Sequence, residues 1–301
     1  MRKALKIGAI AIALLLFAAG AAFVGAAWLG ERKLQRTLAI RVVPVAYVKD
    51  RAALKLGKYL FQSRGCSECH GDDGRGLAFI DTPDGIRFKS PNITSGTGGV
   101  VSDYNEGDWV RAIRHGVNPQ GHALIAMPSE DYNRMSDTDF AALVAYARSL
   151  APVDGESAEI RLPMWMKALY GLGILKDASE KIDHRKPPSP AVPVAATAAY
   201  GAYLGNMCVG CHGPALSGGR IPGAPPDWPL ASNLTPGDGS VMPRYDTAEK
   251  FIAMMRTGKR PDGSEVARVM PFMSLRNLND LDLNALYAYL RAVPPRQGGE
   301  R

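Results

Sequence analysis

All four cysteines of this 301-residue chain fall in two copies of one pentapeptide, Cys66-Ser67-Glu68-Cys69-His70 and Cys208-Val209-Gly210-Cys211-His212. C-x-x-C-H is the attachment pattern of c-type haem. Two thiols add across the vinyl groups, and the next residue offers its imidazole to the iron. The pattern constrains the fold because each copy must close around a flat, largely apolar group. Two dithiol redox motifs or two disulfides would suit an oxidising compartment, but neither needs a histidine after the second cysteine. A four-thiolate zinc site leaves both histidines unexplained. The expected cofactors are two covalently bound haem c groups, one on Cys66, Cys69 and His70 and the other on Cys208, Cys211 and His212.

The surroundings of the two motifs repeat as well. Cys66 and Cys208 are 142 positions apart, and matches recur at nearly the same offset. Gly57-Lys58-Tyr59-Leu60 answers Gly201-Ala202-Tyr203-Leu204, and Asn92-Ile93-Thr94 answers Asn233-Leu234-Thr235. Trp109 answers Phe251, Gly116 answers Gly258, Met127-Pro128 answers Met270-Pro271, and Ala145-Tyr146 answers Ala288-Tyr289. A period of this length exceeds that of solenoid repeats and reads as a duplicated domain. Each copy opens with an apolar-periodic stretch, Leu54 to Phe61 and Ala199 to Leu204, that runs into its haem motif. Each closes with a helix whose cap is legible. Ser136 with Asp139 precedes a stripe at Phe140, Leu143, Val144 and Ala147, and Pro152 ends it. Asn279 with Asp282 precedes Leu283, Leu286, Tyr287 and Leu290, and Pro294 ends that one. Loops rich in Gly, Pro and Asn, such as Thr94 to Gly99 and Pro222 to Pro229, lie between. A loop-rich domain of about 100 residues is tenable where haem supplies much of the core.

On these motifs the sequence resembles class I cytochromes c, in which N- and C-terminal helices cross and haem fills the space between loops. The resemblance implies an all-α fold of two tandem cytochrome c domains behind an N-terminal transmembrane helix. The segments expected are an anchor at 1–30, a first domain at 45–152, a linker at 153–196 and a second domain at 197–301. The run Pro91-Asn92-Ile93-Thr94, Trp109 to Gly116, Gly121 and Met127-Pro128 is similar to membrane-associated cytochrome c subunits of bacterial alcohol and sugar-acid dehydrogenases. Those subunits usually carry three haems, and this chain has two motifs.

The second axial ligand must be Met, His, Lys or an open position. Met127 follows His70 by 57 residues and Met270 follows His212 by 58, and both precede proline shortly before a capped helix. They are the expected iron ligands opposite His70 and His212. Met135 aligns with Leu278, and Met254 with Met255 sits in an apolar helical segment, so these read as core. His122 aligns with Ser264 and is the one histidine rival to Met127; His115 aligns with Thr257, and His184 lies in the linker. Asn92 and Asn233 suit either of two roles, donating to haem propionates or capping a turn.

From Ile7 to Leu29 there are 23 residues without a charge, preceded by Arg2, Lys3 and Lys6. That length spans a bilayer, and the basic flank predicts a cytoplasmic N-terminus with the haem domains in the periplasm of a bacterial inner membrane. The alternative is a cleaved signal peptide with small residues near Ala19-Gly20-Ala21 or Gly25-Ala26-Ala27, but the apolar run is longer than such regions usually are. No cysteine lies near the segment, which excludes a lipidated N-terminal cysteine. In the linker, Met164-Trp165-Met166 with Leu169, Tyr170, Leu172 and Ile174 predicts a short amphipathic helix. Its apolar face has two destinations, a haem domain or the membrane surface or a partner subunit. The run Pro187 to Pro193 is expected to be extended.

The formal charge is +7, of which Arg2, Lys3 and Lys6 precede the anchor; four propionates from two haems would bring the remaining +4 near zero. No strongly acidic partner follows from that balance, and no basic-aromatic stripe suits nucleic acid. With protein ligands on both irons, the expected function is single-electron transfer and not catalysis. The expected donor is a dehydrogenase or quinol-oxidising complex, and the expected acceptor is a terminal oxidase or soluble cytochrome. The alternatives are an electron-accepting subunit of an obligate dehydrogenase complex, and a haem enzyme such as a dihaem peroxidase or thiosulfate-oxidising cytochrome.

Overall fold

The computed structural model describes residues 2–300 apart from 223, 225 and 226. Three positions of the loop expected at 222–229, and the end residues 1 and 301 of the first and last segments, therefore lie outside the described residues. The uncharged amino-terminal run forms helix α1 (Arg2–Leu34). A helix is the form in which one isolated apolar segment satisfies its own backbone groups. Residues 2–24 are exposed along the whole helix, and the apolar part is long enough to cross a bilayer.

An extended strap follows and runs along the first repeat. The Leu38 amide donates to the Gly121 carbonyl at 2.8 Å, and Tyr47 donates its hydroxyl to the Tyr104 carbonyl at 3.0 Å. The first repeat comprises α2 (Arg51–Ser63), the short α3 (Cys66–His70), strands β1 (Ala78–Asp81) and β2 (Arg87–Lys89), α4 (Glu106–His115), the turn α5 (Ser129–Tyr132) and α6 (Asp137–Ser149). Strand β3 (Glu159–Arg161), from the linker, completes a three-stranded antiparallel sheet in the order β1-β2-β3. This small sheet has no clear sign in the sequence, because its strands are three or four residues long and two of them are two-thirds charged. The linker continues through α7 (Met164–Gly171) and α8 (Ala178–Lys181). The second repeat comprises α9 (Ala198–Gly205), α10 (Val209–His212), α11 (Ala248–Thr257), the turn α12 (Phe272–Leu275) and α13 (Asp280–Ala292).

The matching sequence positions take matching structural roles. α2 crosses α6 at Gly57, where a Cβ would lie 1.9 Å from the Ala142 carbonyl oxygen; α9 crosses α13 at Gly201, where it would lie 1.9 Å from that of Ala285. Only glycine permits so close a crossing. Asp50 caps α2 and Thr197 caps α9, while Ser136 caps α6 and Asn279 caps α13, each by accepting an amide proton from the third residue on. Each crossed helix pair is backed by its own apolar core, with Leu60, Phe61, Phe140 and Leu143 in the first and Leu204, Leu278, Leu283 and Leu286 in the second. Met135, Met254 and Met255 are buried in these cores.

The two repeats face each other with a reciprocal contact. Tyr59 donates its hydroxyl to Asp282 (2.6 Å) and accepts from the Asn279 amide (3.1 Å). Tyr203 donates to Asp139 (2.6 Å) and accepts from the Ser136 amide (3.1 Å). Each tyrosine thus inserts into the cap of the other repeat's last helix, between the cap amide and the acid that would otherwise close a capping box. Burial first, and the neighbouring carboxylate after it, push both phenols up to about 12.

Among the described residues the linker helix packs chiefly on α1 and not on the helices of a haem domain, one of the two destinations its sequence left open. α7 lies against the last turns of α1, where Ala168 is buried with Ala26 and Ala27. The small residues on both helices allow that approach.

Candidate haem sites

The Asn-x-Thr turn of each repeat sets up its histidine. Asn92 is fully buried and donates both amide protons to backbone carbonyls, those of Thr97 (3.2 Å) and Val153 (2.8 Å), while its oxygen accepts from the Thr94 amide. Asn233 does the same with Asp238 (3.0 Å), Arg296 (2.9 Å) and the Thr235 amide. With both donors used on the backbone, neither asparagine has a proton left for a propionate. Their work is to staple the loop. The residue before each, Pro91 or Ser232, is thereby held with its carbonyl against a histidine. His70 Nδ1 lies 3.1 Å from the Pro91 oxygen and His212 Nδ1 lies 2.8 Å from the Ser232 oxygen. A carbonyl only accepts, so Nδ1 carries the proton in each ring and Nε2 keeps its lone pair. Burial holds the His70 pKa below the ordinary histidine value, which keeps that ring neutral, as an iron ligand must be.

Two cavities stand beside these histidines. The first, about 400 Å³, is lined by Cys66, His70 and Met127 together with apolar side chains including Phe61, Ile93, Leu124 and Leu143. The second, about 320 Å³, is lined by Cys208, Cys211, His212 and Met270. Both volumes fall in the range of cofactor sites. The two methionines enter their cavities in the same way. Each precedes a proline of nearly identical backbone angles (Pro128 φ −80°, ψ 60°; Pro271 φ −78°, ψ 66°), which opens the turn α5 or α12. Burial pushes the Cys66 and Cys208 thiols up to about 12 and the Cys69 thiol up to about 11.

The lining also fits haem in a way the motifs do not dictate. Trp109 lines the first cavity, and its indole Nε1 is buried without a hydrogen-bond partner. Such a donor suits an acceptor carried by the cofactor. The corresponding Phe251 of the second repeat has no such donor.

Cys69, unlike Cys66 and His70, lines the second cavity and not the first. So do Ser63, Arg64, Gly65, Glu68, Pro128 and Asp131 of the first repeat, and Tyr132 lines both cavities. The attachment helix α3 and the turn α5 therefore form a wall that both sites share. Arg64 and Asp131 stand on that wall and were not evident in the sequence. Arg64 is bound to Asp282 at 3.5 Å and leaves Nη1 without a partner, and Tyr132 donates to the Arg64 carbonyl at 2.7 Å. Desolvation, and after it the charge of Glu130, raise the Asp131 carboxyl to about 7. A signal existed in the repeat itself: Arg64 aligns with Asn206 and Asp131 with Ser274, so charged residues stand where the other copy has neutral ones.

His122 does not line the first cavity; its ring turns to the strap, with Nδ1 3.2 Å from the Arg36 carbonyl. His115 and His184 meet each other, Nδ1 to Nδ1, at 2.9 Å.

Comparison with known proteins agrees with this geometry. Residues 52–146 match the family described as cytochrome C oxidase, cbb3-type, subunit III, and residues 196–294 match cytochrome c. The fructose dehydrogenase cytochrome subunit of Gluconobacter japonicus is 29% identical over 282 residues, covering 84% of this chain and 55% of that protein. The gluconate 2-dehydrogenase cytochrome c subunit of Pantoea cypripedii is 28% identical, covering 83% and 61%. The alcohol dehydrogenase (quinone) cytochrome c subunit of Gluconobacter oxydans is 26% identical, covering 81% and 55%. The chain thus spans between about half and three-fifths of the length of these curated relatives. The chain is a tandem of two cytochrome c domains, and it carries two covalently bound haem c groups.

Proposed function

We propose that this protein is a membrane-anchored carrier that moves single electrons between respiratory redox partners and has no substrate site of its own. The observation that carries the reading is the shared wall: Cys69, from the first attachment motif, lines the cavity of the second. In this reading Cys66 and Cys69 hold one haem and Cys208 and Cys211 the other, with His70 and Met127, then His212 and Met270, as axial ligands. Bound haem supplies a one-electron iron couple, and methionine ligation raises its potential relative to two histidines. The chain's own contribution is positional. The stapled Asn92 and Asn233 loops orient the histidines, the apolar linings exclude water, and the Tyr59 and Tyr203 contacts keep the two sites at one spacing. A dry, rigid setting of this kind keeps the rearrangement around each iron small.

Helix α1 is the anchor in this account, with the haem domains on the periplasmic face of a bacterial inner membrane. Its last turns are built into the fold through Ala26, Ala27 and Gly30, which a retained helix explains better than a removed leader. Of the bases just beyond the uncharged run, Lys33 is paired with Glu180 and Arg36 with Asp177 and Arg32 lies over Trp28, whereas Arg2, Lys3 and Lys6 form a basic flank with no acidic residue before it. The relatives are cytochrome subunits of dehydrogenases. That likeness favours a dehydrogenase as electron donor, with a terminal oxidase or soluble cytochrome as acceptor.

Carbon monoxide separates a carrier from a haem enzyme. If Met127 and Met270 close both irons, the fully reduced, detergent-solubilised protein will show no carbon monoxide difference spectrum. Binding of one equivalent per chain would reveal an open site and overturn the carrier reading.

A further inference from the structure

Helix α7 is seated on the anchor by unusually close backbone contact. A Cβ on Gly30 would lie 1.9 Å from the Lys167 carbonyl oxygen, and one on Gly171 would lie 2.2 Å from that of Ala26. Small residues at a crossing let two helices touch along their backbones. Charge locks the seat. Lys167 pairs with Glu31 at 2.7 Å, Lys33 with Glu180 at 2.8 Å and Arg36 with Asp177 at 2.8 Å. The Lys33 ammonium also lies 4.2 Å from the centre of the Tyr170 ring and donates to the Tyr170 carbonyl.

The remaining surface of this pair is apolar and uncovered. Met164, Trp165, Leu172 and Ile174 are 43–62% exposed, and on the adjoining turns of α1 Val24, Trp28 and Leu29 are 48–56% exposed. Arg32 stacks over Trp28 at 5.0 Å, a cation beside a tryptophan where the uncharged run ends. Tryptophan and basic residues gather at that depth of a bilayer, the headgroup level.

Resting on the reading of α1 as a retained anchor, we propose that α7 and the turn through Ile174 form a second membrane element. They lie in the headgroup–acyl boundary of the leaflet from which α1 emerges, with Met164, Trp165, Leu172 and Ile174 against lipid. The occupant of this face is lipid because the face continues the surface of the anchor, at the turn where the anchor's lipid contact ends. Short apolar helices of this kind sit about 5–10 Å into the boundary. The consequence is orientation. A lone spanning helix leaves its cargo free to swivel, whereas α7 leads directly into α8, which is fastened to the first domain. Lys181 pairs with Glu130 at 2.6 Å, and Ala178 sits against Gly116. The tilt of the first haem domain over the bilayer is then set by α7.

The test uses the full-length, haem-loaded protein in phosphatidylcholine nanodiscs that carry an acyl-chain diazirine lipid, and in native vesicles doped with the same lipid. Carbene adducts mapped by mass spectrometry should fall on the anchor and on residues 162–175. Labelling there should exceed by about tenfold that of peptides holding Leu230 or Met273, which are 65% and 61% exposed in the second domain. Trp165→Glu with Leu172→Glu should remove most adducts from 162–175, while the anchor stays labelled and the visible spectrum stays unchanged. Adducts on the anchor with 162–175 at the Leu230 level overturn the proposal and leave the anchor standing. Adducts on neither overturn both. Labelling in nanodiscs but protection in native vesicles gives the face to a partner subunit and overturns the lipid contact.

Discussion

His70 and His212 each give the Nδ1 proton to a backbone carbonyl, and that single bond decides which nitrogen is left for iron. The same reasoning applied to the other histidine pair yields a pH dependence. His184 donates from Nε2 to the Ser179 carbonyl at 2.9 Å, so its Nδ1 accepts, and the proton in the 2.9 Å contact belongs to His115. Burial, reinforced by the charge of His184 and of Arg114 and Arg111, lowers the His115 pKa to about 4. The unfolded chain takes up this proton near pH 6.5 and the folded chain only near 4. Stability from the neutral ring is therefore complete above pH 6.5 and is lost as pH falls toward 4. Denaturant midpoints taken at pH 7 and pH 5 should differ more for the native protein than for His115→Gln. Equal pH slopes would show that His115 does not titrate in this window. Little of this was open to reading in the sequence, because His115 and His184 are 69 positions apart and only the fold of the linker brings them together. The staples at Asn92 and Asn233 were legible as a repeated pattern, whereas their role was not. An asparagine in a turn looks the same whether it bonds a loop or a cofactor, and only the distances to Val153 and Arg296 separate the two.

Among the elements, the crossed pairs α2–α6 and α9–α13 were the most legible, since caps, stripes and the crossing glycines all carry local signals. The contact between repeats carried none. Tyr59 and Tyr203 stand in matching Gly-x-Tyr sequences that look like features of the helix crossing, yet the glycine makes the crossing and the tyrosine makes the interface. Their positions differ in one respect that can be measured. Asp282 is buried, whereas Asp139 is half-buried. Tyr59→Phe leaves Asp282 short of a donor in a dry setting and should cost about 2 kcal/mol. Tyr203→Phe, opposite the wetter Asp139, should cost about 1 kcal/mol. Unfolding of the haem-loaded protein in guanidinium measures both. A pair of neutral substitutions, or the reverse order, would show that the phenols do not hold the interface. The destination of α7 was equally hidden. Its apolar pattern marks a face, whereas the seat of the helix is decided by Gly171 meeting Gly30, which is far away in sequence.

At the scale of the molecule, the duplication was legible because cysteines, methionines and glycines recur near one offset. What the repeat does not encode is its asymmetry. The strap and linker cover the first domain: Leu38 bonds Gly121, and Ala178 sits against Gly116. The loop around Gly263 in the second domain, the counterpart of Gly121, is exposed. One copy is thereby tied to α1 and the other is not, with a wall of Cys69, Glu68, Arg64 and Asp131 between their cavities. The central claim is that Met127 and Met270 complete two separate iron sites in this arrangement. Potentiometric titration of the visible spectrum in the native protein, Met127→His and Met270→His tests it most directly. Each substitution replaces a thioether by a stronger donor to ferric iron, so each should lower one of two potentials and leave the other near its native value. The weak far-red band of ferric His/Met iron should fall by about half in each variant. Variants that keep both potentials and the full band would contradict the assignment.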